Sequence, residues 1–283
     1  MRVVSDTDLT LHEAAELLGV HYMTAYRYVR LGLLHATKVG GTWQVSPDDL
    51  EVFRSGAAPV EPGTPKRRAP WAARMEARLV AGDARGAWGV VEAALAAGAE
   101  LNDIYLDVIT PAMRSIGARW VAGELDIAVE HRASGIAQRL IGRLGPRFAR
   151  RGRSRGTVLL GAPVGERHSL PIAMLADLLR GEGWEVSDMG VDLPIESFIL
   201  AAEDIDDLAA IGVSVSSAES EANAAALCAA LRAAMPGVPV VIGGGAIRDA
   251  EHAMALGATE FAVSATAFSA QLSRVAATPN AGS

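Results

Sequence analysis

From residue 156 to the end of this 283-residue chain, short apolar runs alternate with helical patterns, and that alternation narrows the fold more than any other feature. Thr157–Gly161, Trp184–Met189, Ala210–Ser214, Val238–Ile242 and Glu260–Val263 are apolar enough on both faces to be buried parallel strands. Helices are expected between and after them, at about 171–182, 194–205, 219–235, 246–256 and 265–276. Five β/α units predict a doubly wound, flavodoxin-like (Rossmann-like) sheet of five parallel strands. Such a sheet takes its ligands beyond the carboxyl ends of its strands.

Three short signals fall at those ends. Glu166-Arg167-His168, followed by Ser169, Leu170 and Pro171, comes after the first strand; Ser214-Val215-Ser216 ends the third; Gly243-Gly244-Gly245 follows the fourth. An imidazole is a good donor to a metal, and Glu166 two residues earlier can accept its second ring N–H and fix the tautomer. Serines and glycines let backbone approach a bound group closely. A glycine run could also cradle a phosphate at a helix start, but no G-x-G-x-x-G follows the first strand, which weakens a nicotinamide reading.

The spacing resembles the signature of cobalamin-binding domains, D-x-H-x-x-G, S-x-L/T and G-G. The resemblance implies that His168 is the lower axial cobalt ligand. It also implies that the cofactor lies against Glu166, Arg167, His168, Ser169, Leu170, Ser214, Val215, Ser216, Gly243, Gly244 and Gly245. Its displaced nucleotide tail would be buried beside the serines and glycines. Two positions depart from the pattern: Glu166 stands where aspartate is usual, and Pro171 where glycine is usual. Proline suits the first position of a helix, which is where it is expected here.

The N-terminal residues carry a different pattern. Thr10-Leu11-His12-Glu13 is a capping box opening a helix over Leu11–Leu18. Gly19 makes a turn, a second helix is expected from Tyr22 to Leu31, and Gly32 stops it. Residues 36–45 read as a hairpin around Gly40-Gly41, and Ser46-Pro47 caps a closing helix. Leu9 to Phe53 resembles winged helix-turn-helix modules of the excisionase and MerR type. That resemblance implies a second helix in the major groove, presenting Tyr22, Thr24, Arg27 and Arg30, and a wing presenting Lys38, Thr42 and Trp43. Tyr26 and Val29 are expected to pack inward, and Trp43 can anchor the wing. Residues 1–58 hold five Lys/Arg against seven Asp/Glu, so one copy should bind weakly and a dimer or larger assembly on a palindromic duplex is expected.

Residues 71–148 repeat apolar positions at three and four, predicting about four helices with breaks near Gly82-Asp83, between Gly98 and Asn102, and at Gly123. Trp120, nine residues, then Glu130-His131 means little as spacing alone. Placed directly before a cobalamin-type domain, it resembles the cap of cobalamin-dependent MerR-like regulators of the CarH and LitR kind, which carry W-x9-E-H. The resemblance puts Trp120, Glu130 and His131 in a pocket for the 5′-deoxyadenosyl group of adenosylcobalamin. In photoreceptor members a histidine can directly follow the tryptophan; here that position is Val121, which cannot coordinate cobalt. Downstream, eight arginines from Arg132 to Arg155 (including Arg150, Arg151 and Arg153) run without an acid, either as a DNA- or subunit-facing patch or as a solvated helix face.

The expected organisation is therefore multi-domain, α and α/β: residues 1–56 a winged helix-turn-helix, 57–70 a linker, 71–150 a four-helix bundle cap, and 156–279 a cobalamin-binding domain. Residues 1–155 hold 21 Lys/Arg against 17 Asp/Glu, and residues 156–283 hold 5 against 16, so a polyanion would meet the front half. One cysteine, no apolar leader and no spanning run are expected of a cytoplasmic protein in a reducing compartment, away from membranes. The favoured expectation is a non-enzymatic repressor on double-stranded operator DNA, a dimer to tetramer governed by adenosylcobalamin and light. The alternatives are a corrinoid carrier for a methyltransferase, or a regulator answering to cobalamin abundance or to no cofactor.

Overall fold

The computed structural model describes residues 9–18, 20, 22–30, 34–39, 42–54, 69–150 and 152–277, apart from the side chains of Met23, Arg27, Arg30, Val39 and residues 273–277. The expectations placed on the side chains of Arg27 and Arg30, on Gly19, Leu31, Gly32, Gly40-Gly41, Arg151 and residues 57–68, and on residues 278–279 lie outside that set. The chain divides into two compact units, Met1–Arg68 and Ala69–Ser283.

The first unit is a winged helix-turn-helix. Its elements are β1 (Leu9–Thr10), α1 (Leu11–Leu17), α2 (Tyr22–Arg30), β2 (Thr37–Val39), β3 (Thr42–Val45) and α3 (Pro47–Arg54). The capping box forms: the Glu13 N–H donates to the Thr10 hydroxyl, and the Glu13 carboxylate accepts from the Thr10 N–H at 2.7 Å. Ser46 caps α3 by accepting from the Asp49 N–H. The wing pairs β2 with β3 antiparallel, Lys38 opposite Trp43, and β1 adds to the other edge of β3. β1 was not expected, because two residues are too few to show a period. Leu11, Ala14, Ala15, Ala25, Leu34, Val45 and Leu50 form the core.

The second unit opens with four helical segments packed together: α4 (Trp71–Val80), α5 (Ala84–Ala96), a long segment, and α8 (Ile127–Leu144). The long segment starts as α6 (Leu101–Asp103), widens into a π-helix over Ile104–Ile109, and continues as α7 (Thr110–Val121). The sheet domain comes next as β4 (Thr157–Gly161), α9 (Ser169–Gly181), β5 (Glu185–Asp188), α10 (Ile195–Glu203), β6 (Leu208–Ser214), α11 (Glu221–Ala234), β7 (Val240–Gly243), α12 (Ala250–Ala255), β8 (Glu260–Ala262) and α13 (Ala265–Ala277). All five strands are parallel, in the order β5-β4-β6-β7-β8. Helices α10, α11 and α12 bury Phe198, Leu227, Leu231 and Ala253 against one face, and α9 and α13 bury Ile172, Leu179, Phe268 and Leu272 against the other.

Helix α9 also belongs to the bundle. Its Leu178 is buried in the bundle core, with Leu170, Ala173 and Met174 packed alongside. One polar contact crosses the same boundary: Tyr105 donates its hydroxyl to Asp177 at 2.7 Å, and Arg180 holds the other carboxylate oxygen at 3.1 Å. Both Tyr105 and Asp177 are buried. Because the chain leaves β4 toward β5 and returns to β6 on the opposite side, the loops after β4 and β6 diverge and open a crevice between them.

Candidate cofactor site

Glu166 organises that crevice. It lies in the loop after β4, is 0% exposed, and takes four hydrogen bonds. Oε1 accepts from the His168 backbone N–H at 2.9 Å and faces the ring Nδ1 at 2.5 Å; Oε2 accepts from the N–H groups of Ser216 and Ser217 at 2.6 and 2.9 Å. Burial pushes this carboxyl upward, but the bonds from His168, Ser217 and Ser216 outweigh burial and hold it down to about 2. The group is therefore ionised and can only accept, so His168 must carry its proton on Nδ1. In the neutral ring the Nε2 lone pair is then turned away from Glu166.

The His168 side chain is 58% exposed, so that lone pair can be reached from outside. The bond to Glu166 raises the imidazole pKa above its usual 6.5 despite partial burial, and the charge of Glu130 adds to the rise. Among the described residues, no group of three or more His, Cys, Asp or Glu could hold a metal ion. His168 therefore offers a single nitrogen donor, with no cluster of further donors around it among the described residues.

The loop is fixed from two further sides. The Gly165 N–H donates to Asp192, and the Asn223 amide donates to the Val164 carbonyl. Ser217 carries no signal in the sequence, because any residue supplies a backbone N–H, and Asp192 and Asn223 meet only backbone groups of the loop. Helix α9 begins at Ser169, so Pro171 is its third residue and not its first. The change is harmless to the helix: the N–H of a third residue has no partner within the helix. Arg167 and His168 are exposed, while Ser169 and Leu170 are half-buried.

Beside the loop, a slot of about 90 Å³ runs between α9 and α13 over the strand ends, lined by Pro171, Leu175, Gly212, Ser214, Gly243 and Phe268 among others. Glycine is required in its floor. A Cβ on Gly243 would lie 2.6 Å from the Ala262 carbonyl oxygen, and one on Gly244, whose φ is +123°, would overlap the Val215 carbonyl. Val215 itself is buried and bridges the strands, donating its N–H to Gly243 and accepting from Ala246. Gly244, which lines the slot, and Gly245 after it are both exposed. The structure thus brings the three spaced signals to one end of one sheet.

The residues singled out in the bundle lie at the α7–α8 turn. Trp120 is 42% exposed and Val121 79%, with Ile127 exposed beside them in sequence. Glu130 is bonded to the Nδ1 of His131 at 2.7 Å and to the Ser134 hydroxyl at 2.6 Å. Glu130 reaches His168 electrostatically, which ties the start of α8 to the loop after β4. In the first unit, Tyr22 stacks on Tyr26, and Tyr26 meets Trp43 edge-on at 6.5 Å. Tyr22, Tyr26, Val29 and Trp43 all pack on the core, so Trp43 anchors the wing. Lys38 sits over the Trp43 ring, Thr24 is half-buried and Thr42 is exposed.

Comparison with known proteins agrees with this architecture. Residues 71–144 and residues 156–270 each match a family described as B12 binding domain, and residues 9–57 match one described as helix-turn-helix domain. The trimethylamine corrinoid protein 1 of Methanosarcina acetivorans is 29% identical over 119 residues, covering 41% of this chain and 55% of that protein. The trimethylamine corrinoid protein of Methanosarcina barkeri is 31% identical over 118 residues, covering 39% and 52%. The chain spans about half the length of these curated relatives. The structure of the Methanosarcina barkeri monomethylamine corrinoid protein shares the fold, with a TM-score of 0.62 at 19% identity over 71% of this chain and 96% of that one. Among the described residues no helix is long and apolar enough to cross a membrane. The matched domains support a cobalamin-binding protein that carries an N-terminal helix-turn-helix element.

Proposed function

We propose that this chain is a transcriptional regulator whose assembly on double-stranded operator DNA is set by adenosylcobalamin, acting as a repressor when loaded in the dark. The observation that carries the reading is the presence, in one chain, of a winged helix-turn-helix and a His168–Glu166 loop facing a helical cap. A carrier has no use for the first.

His168 would ligate cobalt through Nε2, held in the right tautomer by Glu166. Arg167, Ser169 and Leu170 would flank the corrin. The slot lined by Ser214, Gly243 and Gly244, with Val215, Ser216 and Gly245 next to them in sequence, would take the nucleotide tail. Trp120, Val121, Glu130 and His131 would meet the upper ligand. When bound, the cofactor supplies a cobalt–carbon bond that visible light breaks. The protein's share is to bind differently before and after that change, since a ligand biases assembly only through a difference in affinity between states. Tyr22, Thr24, Arg27, Arg30, Lys38, Thr42 and Trp43 would face or support the DNA surface, with phosphate contacts dominating affinity.

The test is to load the full chain with adenosylcobalamin in darkness and compare dark and illuminated samples by size-exclusion chromatography and duplex binding. A dark dimer or tetramer that binds DNA and dissociates in light is expected. A protein that retains no cofactor on desalting refutes the reading. The corrinoid names of the relatives favour a second reading, a corrinoid carrier for a methyltransferase. Methyl transfer by the holoprotein with no effect of cofactor on DNA binding would establish that reading instead.

A further inference from the structure

At the opposite end of the sheet from His168, the chain forms a second concave feature. The segment between the bundle and β4 folds back over the start of β5, with the Arg155 N–H donating to the Gly183 carbonyl. Arg150, Arg153 and Arg155 from this segment, with Arg180 from the end of α9, line a pocket of about 370 Å³. Glu182 and Glu185 are the acids in its wall, so four guanidinium groups face two carboxylates in a chain whose net charge is −7.

Glu182 is engaged by the Ser269 hydroxyl, Arg180 by Asp177 and the Val186 carbonyl, and Arg155 lies over the Trp184 ring at 4.6 Å. Among the described residues neither Arg150 nor Arg153 has a carboxylate within ion-pair distance, although both are exposed. The same wall holds an independent sign of a missing acceptor. Trp184 is 3% exposed, and its indole N–H has no hydrogen-bond partner among the described residues. An indole nitrogen only donates, so the group that would satisfy it is an acceptor. A donor-lined pocket of arginines and an indole matches an anion with several oxygens, which guanidinium forks can share.

We propose that this pocket binds a phosphate group, supplied either by the DNA backbone or by a small phosphate ester. The site is separate from the cofactor loop, and its existence does not depend on the regulatory reading. The test uses the full chain, with Arg150→Gln/Arg153→Gln, Trp184→Phe, and Arg85→Gln/Arg114→Gln as a control of equal charge loss on exposed arginines outside the pocket. Pyrophosphate is titrated calorimetrically at low salt, and random-sequence duplex binding is measured against salt.

Wild type is expected to bind pyrophosphate, the double variant about 100-fold more weakly (roughly tenfold per arginine), and Trp184→Phe several-fold more weakly. If the phosphate belongs to DNA, the double variant also loses roughly 0.9 of salt-dependence slope per contact. If it belongs to a small ester, the slope stays and only pyrophosphate binding falls. The proposal is overturned if the double variant matches wild type in both assays, or if the control pair loses as much. Retained circular dichroism and cobalamin uptake separate a binding defect from a folding one.

Discussion

Glu166→Gln changes one atom and isolates the role of charge in the loop. An amide offers one acceptor where the carboxylate offers two, yet Oε1 and Oε2 each face donors. The backbone N–H groups of Ser216 and Ser217 cannot invert, so the amide oxygen is expected to turn toward them and its NH₂ toward His168. The ring can accommodate this by moving its proton to Nε2, which removes the lone pair a metal would need. Held at about 2 instead of 4.5, the buried carboxylate is stabilised in its charged form by about 3 kcal/mol. Because its pKa is depressed by folding, this contribution is complete above pH 4.5 and is lost as pH falls toward 2.

The variant should therefore unfold about 3 kcal/mol more easily in urea at pH 7, with the gap to wild type closing through that acid window. Long-range ¹⁵N spectra, with His168→Ala assigning the signal, should show Nδ1–H in wild type and Nε2–H in the variant. A gap that does not change with pH, or an unchanged tautomer, would refute the account.

Three further outcomes rest on the same geometry. Ligation through Nε2 competes with protonation, so His-on cobalamin binding, read from the visible spectrum, should fade as pH drops through the raised His168 pKa, above 6.5, and be absent in His168→Ala. Gly244→Ala should cost roughly 3 kcal/mol or more in urea unfolding, since it combines a left-handed φ with overlap on Val215. Tyr105→Phe should cost about 1–3 kcal/mol by leaving buried Asp177 short of a donor, and hydrogen exchange should rise at the bundle–α9 contact; unchanged exchange there would mean that apolar packing alone joins the two.

The sheet was legible because its strands are short apolar runs bounded by turns: β4 matches expectation residue for residue, and the other four differ only by a residue or two at their ends. β5 is trimmed by one residue at each end to Glu185–Asp188, where Trp184 turns into the core and Met189 lies just past the last ladder pair. The histidine, serines and glycines were legible because strand ends converge wherever strands are parallel. The contacts that escaped were carried by backbone: the Ser216 and Ser217 N–H groups on Glu166, and the Asp192 bond to Gly165. The Tyr105–Asp177 contact escaped for a different reason, since its partners are 72 residues apart and each alone resembles an ordinary surface residue. Helix α12 was expected from 246 but starts at Ala250, because Asp249 caps it by accepting from the His252 N–H.

The π-helix at Ile104–Ile109 acts as a phase setter for α7. Bonds to the fifth residue admit one more residue than an α-turn, which rotates everything downstream by about 100°. Tyr105 lies inside this stretch and is pinned to α9, whereas Trp120 and Val121 lie at the far end of the same continuous segment. Removing one residue between them would leave both anchor and helix intact while swinging the tryptophan to another side. The direction in which the bundle presents its aromatic ring is therefore written in the length of a single turn, independently of the ring's own chemistry.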